Sequence, residues 1–150
     1  MIKIVRTNSE NTDFIFLVNH LDSDLAKRDG NDHAFYHQFN KIDKIKHAVV
    51  AYENENPVGC GAIRAFDSIS MEIKRMYTLP ELRSKGIATE ILSELENWAV
   101  ELGYRICVLE TGKKQPEAIH LYLKNGYQQI PNYGQYTGIE NSLCFEKKLK

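Results

Sequence analysis

Apolar and polar residues alternate at the start of the chain, Ile2 and Ile4 around Lys3, which predicts a strand over Ile2–Val5. The period then changes. Phe14, Ile15, Leu17, Val18, Leu21 and Leu25 recur three and four apart, so Thr12–Ala26 reads as an amphipathic helix. Asp29-Gly30-Asn31-Asp32 interrupts it, and His33–Phe39 predicts a second, short helix. Three strand-like runs follow: His47–Tyr52, Val58–Phe66 (weakened by Gly59 and Gly61) and Ser70–Thr78. Only the polar segment Glu53–Pro57 and the pair Asp67-Ser68 separate them, so they should pair as an antiparallel meander.

The strongest helical signal runs from Lys85 to Leu102. Ile87, Ile91, Leu95, Trp98 and Leu102 form one stripe, widened by Ala88, Leu92 and Ala99, while Glu90, Glu94, Glu96, Asn97 and Glu101 face away. Gly103 sits where a helix-terminating glycine would. Arg105–Thr111 then reads as a buried strand, and strand, helix, strand in that order implies a right-handed parallel crossover. Pro116 suits the first turn of a helix that runs to about Asn125 and stops at Gly126. Tyr127–Ile130 and Ser142–Lys148 are final strands, joined by a polar, aromatic loop from Pro131 to Gly138.

Composition changes this picture little. A chain of 150 residues is long enough for one domain with a real core. With 26% charged residues and a net charge of −1, it is not a nucleic-acid binder that works by bulk charge. Its apolar runs, Phe14–Val18 and Ala48–Tyr52, are too short to span a membrane, and the first residues read as a strand rather than a signal peptide. Cys60, Cys107 and Cys144 include no C-x-x-C pair, and they are expected to be reduced, buried thiols of a cytoplasmic protein.

Chemistry concentrates in Arg83-Ser84-Lys85-Gly86-Ile87-Ala88, between the strand ending at Thr78 and the strong helix. A glycine-bearing turn that opens a helix leaves backbone N–H groups free and adds the positive end of the helix dipole. That combination suits phosphate oxygens, so a phosphorylated ligand is the first expectation. The plain alternative is an ordinary strand-to-helix turn.

The run from Glu72 through Thr78, Leu79-Pro80-Glu81-Leu82 and Arg83–Ala88 resembles the central signature of the GCN5-related N-acetyltransferase (GNAT) superfamily. That signature is Gln or Arg, two variable residues, Gly, one variable residue, then Gly or Ala. Downstream, Ala118 through Tyr127 is similar to the family's second segment, where an alanine, a tyrosine and a Gly-aromatic pair recur. Both segments, at this separation and within this order of elements, make the resemblance specific. It implies a single N-acetyltransferase domain over residues 1–150, with an α+β fold. The expected architecture is a mixed, mainly antiparallel, twisted sheet of about seven strands, with helices on both faces.

The resemblance also implies acetyl-CoA as acetyl donor, no metal, and a primary amine as acceptor: a small amine, an amino acid or peptide, or a protein amine. The pyrophosphate would lie on the amides of Ser84, Lys85, Gly86, Ile87, Ala88 and Thr89, with Arg83 and Lys85 adding charge. The backbone around Met76, Tyr77 and Thr78 would hold the pantetheine arm as an added strand. Gln115 stands where the family often has an asparagine. Tyr122 is the expected acid facing the sulfur, against the alternative of a core aromatic. Glu72 is the expected base, against that of a surface carboxylate paired with Lys74 or Arg75. Simple alternation would put Glu72, Lys74, Met76 and Thr78 on one face, unless a bulge intervenes. Glu110 is an alternative base or substrate contact. Tyr133 and Tyr136 would wall the acceptor pocket or pack the sheet edge. His33 and His37, spaced i, i+4, are a weak metal-ligand pair, and Asn40 and His47 take no assigned role. Direct attack in a ternary complex is expected, since no cysteine has an evident partner base. The rival readings are a non-catalytic acyl-CoA binder or sensor of the same fold and a phosphate-ligand binding module of unrelated fold. Family members are often homodimers; no partner in nucleic acid or membrane is expected.

Overall fold

In the computed structural model, which describes residues 1–29 and 45–149, the predicted elements form one seven-stranded sheet. In chain order they are β1 (Ile2–Thr7), α1 (Thr12–Asp29), β2 (His47–Glu53), β3 (Asn56–Ala65), β4 (Ser70–Thr78), α2 (Ile87–Glu101), β5 (Ile106–Gly112), α3 (Pro116–Lys124), β6 (Gln128–Ile130) and β7 (Ser142–Lys148). Single 3-10 turns lie at Pro80–Leu82 and Gly134–Tyr136. The strand order is β1-β2-β3-β4-β5-β7-β6, and only β4 and β5 run parallel. This is the expected α+β fold. The predicted short helix at His33–Phe39, with Asn40, lies outside the described residues.

Local chemistry explains the boundaries. Asn11 caps α1: its Oδ1 accepts from the amides of Asp13 (2.8 Å) and Phe14 (3.0 Å). The helix continues to Asp29, three residues past the expected end. The β3–β4 turn is closed by Asp67, whose Oδ1 accepts from the amides of Ile69 and Ser70. The strong helix begins at Ile87, not Lys85, because Ser84 (φ +67°) and Gly86 (φ +82°) are left-handed and cannot be helical. At its other end Leu102 is the C-cap and is exposed, so the apolar stripe ends at Ala99 and the half-buried Trp98.

The sheet separates two apolar layers. On one face α1 packs Phe14, Leu17, Val18 and Leu21 against Ala48, Val50, Cys60, Ala62 and Tyr77. On the other, α2 and α3 cover Val49, Ala51, Ile63, Met71, Ile73 and Leu109 with Ile91, Leu92, Leu95 and Tyr122. Each fully buried aliphatic side chain contributes roughly 1.5–3 kcal/mol. Gly59 and Gly61 make the α2 contact possible. A Cβ on Gly61 would lie 2.6 Å from Met76 Sδ and 2.8 Å from Leu95 Cδ1, and one on Gly59 2.9 Å from Ile91 Cδ1.

Besides a register shift between Ala51 and Tyr52 in the β2–β3 pair, two irregularities of the sheet bear on the site. First, β4 carries a bulge. Cys60 pairs with Tyr77 and Ala62 with Lys74, so two steps on β3 match three on β4. The extra residue is Arg75, held at φ +58°, which costs a non-glycine residue about 1–2 kcal/mol. Second, β4 and β5 pair only over Ser70–Glu72 and Ile106–Val108, although both strands run on. Beyond Glu72 they diverge and leave an opening in the sheet.

Candidate active site

The bulge overturns the simple alternation expected along β4. Opposed residues on antiparallel strands share a face. Glu72 opposes Arg64 and Lys74 opposes Ala62, on the α1 face. After Arg75 the parity reverses. Tyr77, opposite Cys60, now joins the α1 layer, while Met76 packs with Gly61 and Leu95 on the α2 side. Thr78 opposes Gly59, which also faces α2. Glu72 and Lys74 are therefore on one face, and Met76 and Thr78 on the other. One inserted residue sends the carboxylate and the expected pantetheine strand to opposite sides of the sheet.

Around the opening lie two cavities that meet. The larger, of about 380 Å³, runs along β4 from Met76 to Thr78, past Arg83, Ser84 and Gly86–Thr89, to Gln115, Ala118 and Tyr122 of the α3 region. The smaller is bounded by Glu72–Met76 of β4, Glu110–Gly112 of β5, Tyr136, and Leu21 and Leu25 of α1. Leu21, Leu25, Met76, Gln115, Ala118 and Tyr122 border both, so the two open into each other between α1 and α3, beside Tyr122. Nearly every residue expected to bind or react lines one of them.

The turn before α2 has the donors an anion requires. The first α2 bond of the usual i to i−4 kind runs from the Glu90 amide to the Gly86 carbonyl (3.1 Å), which leaves the amides of Ile87, Ala88 and Thr89 ahead of it. No side chain caps this end. A Cβ on Gly86 would meet nothing within 4 Å, so the glycine faces open space. Arg83 points elsewhere: its Nε donates to the Thr78 carbonyl (2.9 Å) and its guanidinium stacks 5.5 Å from the Tyr77 ring, with Asp24 at 3.5 Å. Arg83 thus ties the turn to the end of β4. Asn125, not anticipated from sequence, bonds Thr89 Oγ1 (3.3 Å) and the Leu121 carbonyl (2.8 Å), joining the end of α3 to the start of α2.

Glu72 is not a surface carboxylate. It is 2% exposed and is paired with neither Lys74 nor Arg75. It accepts from Arg64 Nε at 3.1 Å and from the Tyr133 hydroxyl at 2.7 Å. Sequence reasoning gives Arg64 no role; the turn spans three residues, Asp67–Ile69, so the register opposes Arg64 to Glu72 and not to Met71, as a two-residue Asp67-Ser68 turn would. Of the two loop tyrosines, Tyr136 lines the smaller cavity, whereas Tyr133 lines neither cavity and backs Glu72; burial there holds its phenol well above the ordinary tyrosine value. Lys74 lies between Glu72 and the bulge. Burial pushes its ammonium below the usual lysine value, against the opposing pull of Glu72. The Arg75 guanidinium reaches α1 and pairs with Asp22.

Tyr122 packs with Tyr127 (ring centroids 5.8 Å apart) and Phe145. Burial first, then the nearby Glu110 charge, raises its phenol above the ordinary value, so it stays protonated at neutral pH. It can donate a hydrogen bond and resists ionising. The cysteines cannot serve as nucleophiles: burial pushes Cys60 and Cys107 up to about 12 and Cys144 up to about 11. His33 and His37 lie outside the described residues.

Known proteins share this architecture. A proposed acyl-CoA N-acyltransferase from Klebsiella pneumoniae superposes with a TM-score of 0.84 at 27% identity, covering 100% of this chain and 99% of that one. The PaiA N-acetyltransferase of Thermoplasma acidophilum, solved with coenzyme A, gives 0.73 at 18% identity over 99% of each chain. In sequence, the IAA acetyltransferase of Azospirillum brasilense is 37% identical over 103 residues, 67% of each protein. The uncharacterized N-acetyltransferase YsnE of Bacillus subtilis is 34% identical over 101 residues, 66% of this chain and 67% of that protein. The family description "Acetyltransferase (GNAT) family" matches residues 12–127, from the start of α1 through α3 to Tyr127. A bulged β4, a β4–β5 pair that parts after Glu72 and an uncapped glycine turn ahead of α2 are the local features of a chain that belongs to the acetyltransferase (GNAT) family.

Proposed function

We propose that this protein transfers the acetyl group of acetyl-CoA to a primary amine by direct attack in a ternary complex. The observation that carries this reading is the meeting of the two cavities at Tyr122, in the opening between β4 and β5. The donor set fits a CoA thioester. The Ile87–Thr89 amides ahead of α2 suit its phosphates, and the edge of β4 around Met76–Thr78 suits the amides of a pantetheine arm. Such a donor, when bound, supplies an acetyl group activated as a thioester. Gln115 would contact the arm where it passes from one cavity to the other.

The chain's own residues then handle protons. Glu72, directly or through water, takes the proton that the acceptor ammonium must lose; its engaged oxygens retain further lone pairs. Glu110, on the opposite wall, is the alternative base. As the carbon–nitrogen bond forms and the carbon–sulfur bond breaks, the Tyr122 hydroxyl donates toward the departing sulfur. The Tyr122 environment favours this role because it holds the phenol protonated.

The test is calorimetric titration of the purified protein with acetyl-CoA, with ATP as control, followed by amine-dependent thiol release. Saturable binding of acetyl-CoA alone and release of thiol with an amine are expected. Binding without turnover across a broad amine panel would instead favour the acyl-CoA sensor, and absence of binding to folded protein would refute both.

A further inference from the structure

Resting on that reading, we propose that the acceptor is a small amine that also carries a carboxylate, such as a free amino acid, and that Lys74 binds the carboxylate while Glu110 faces the ammonium. The two side chains stand across the opening. The last β4–β5 pair is Glu72 with Val108, so two residues farther on each strand bring Lys74 level with Glu110. They share a face, because Glu110 opposes Cys144, which packs under Tyr136, and Tyr136 in turn lies against Lys74. Both line the smaller cavity, whose remaining wall includes Tyr122 at the junction with the larger one.

Lys74 has capacity for an anion. Among the described residues its only hydrogen-bond partner is the Tyr136 hydroxyl, at 3.5 Å, the limit of a bond. An ammonium has three donors, so Lys74 can also engage an incoming oxygen. Burial disfavours its charge, and a bound carboxylate would restore it. Arg75 adds positive potential to the same wall; its side chain is 1% exposed and its Nε has no partner among the described residues. The neighbouring charges that oppose a carboxylate are accounted for. Glu72 is held by Arg64 and Tyr133, and Glu110, on the opposite wall, takes the amine end, so with this acceptor Glu110 rather than Glu72 is the base. A simple alkylamine would leave Lys74 facing its own like charge, whereas a zwitterion complements both walls.

The experiment compares carboxylate-bearing amines with their own amides: free α-amino acids, β-alanine and γ-aminobutyrate, each against the matching amide. Binding to protein saturated with CoA is read by calorimetry, and thiol release from acetyl-CoA is read in parallel. At least one acid should bind, and turn over with a kcat/KM about tenfold or more above its amide. Lys74→Met should collapse that ratio toward unity, chiefly through KM, and Lys74→Arg should restore most of it. Equal or better performance of the amides, no binding by any acid, or a ratio untouched by Lys74→Met would overturn the inference. If the protein binds acetyl-CoA while any of these holds, only this inference falls. If it does not bind acetyl-CoA, the proposed function falls first and takes this inference with it.

Discussion

Replacing Asp22 with alanine should destabilise the protein by about 2–3 kcal/mol and loosen both cavities. The cause lies at the bulge. Arg75 sits in a left-handed conformation on β4 and sends a guanidinium, 1% exposed, into the layer under α1, where Asp22 pairs with it. Removing one partner of a buried pair typically costs about 3–5 kcal/mol, because the remaining charge is left unsolvated. The Asp22 end is 30% exposed, so water can reach part of the guanidinium and the lower estimate applies. For a chain of 150 residues, this loss lowers Tm by about 5–10 °C. Asp22→Asn, which keeps an acceptor, should lose less. Arg75→Met removes the buried charge, so adding Asp22→Ala to it should cost under about 1 kcal/mol, giving a coupling energy of about 2 kcal/mol in a double-mutant cycle. Because α1 carries Leu21 and Leu25 against both cavities, acetyl-CoA affinity should weaken in Asp22→Ala as well. Thermal melts of the four proteins decide the matter. A Tm for Asp22→Ala within about 1 °C of the parent, or simple additivity, would show that this pair does not anchor α1 to the bulge.

Other consequences are as definite. Tyr122→Phe should lower kcat about a hundredfold while leaving the acetyl-CoA Kd within about threefold, read by thiol release and calorimetry. Gly86→Ala should cost about 1 kcal/mol of stability from backbone strain alone, since its Cβ meets nothing, and should weaken acetyl-CoA binding about tenfold; an unchanged Kd would remove the phosphates from this turn. Stability should fall above pH 9. Cys60 and Cys107 are raised from 9.0 to about 12 and Cys144 to about 11, so the unfolded chain loses these protons first, and the stabilisation present below pH 9 is lost as pH rises toward those values. Between pH 9 and 10 each thiol contributes a loss of about 1 kcal/mol, roughly 3 kcal/mol together, measurable in urea titrations. Replacing Cys60 by alanine should reduce the loss over that interval by about 1 kcal/mol, a third of the thiol contribution.

The order of elements was legible because the signals are local. Alternation marks β1, the Ile87–Ala99 stripe marks α2, and Pro116 with Gly126 brackets α3. The phosphate turn was legible for the same reason: Gly86 stands directly between a strand and a helix. Contacts that close over long separations left no such mark. Tyr133 reaches Glu72 across 61 positions, Asp22 reaches Arg75 across 53, and neither distance is encoded in any one window of sequence. Arg64 is the intermediate case: its pairing with Glu72 follows from the hairpin register only once the turn is known to span Asp67–Ile69, one residue more than Asp67-Ser68.

The face assignments along β4 show how far one residue can carry. Val, Ile and aromatic patterning gives no warning of the bulge, because the run from Ser70 to Thr78 reads as an unbroken strand. Yet a single residue at φ +58° reverses every side chain after it. Without the bulge, Met76 would follow Glu72 and Lys74 onto the α1 face, and Tyr77 would be forced into the α2 layer that Gly61 leaves open for Met76. With it, the Glu72 and Lys74 charges stay under α1 while the end of β4 turns its Met76 and Thr78 side chains toward α2. The strand pair parts just before this point, and the opening beside Tyr122 is lined from both faces, by Leu21 and Leu25 of α1 and by Ala118 and Tyr122 of α3. In the proposed function, donor and acceptor meet at that opening. Shortening β4 by deleting Arg75 should therefore abolish amine-dependent thiol release, even in variants that retain the far-ultraviolet circular dichroism of the parent. Retained turnover after that deletion would mean that the reversal of faces is not what brings the reactants together.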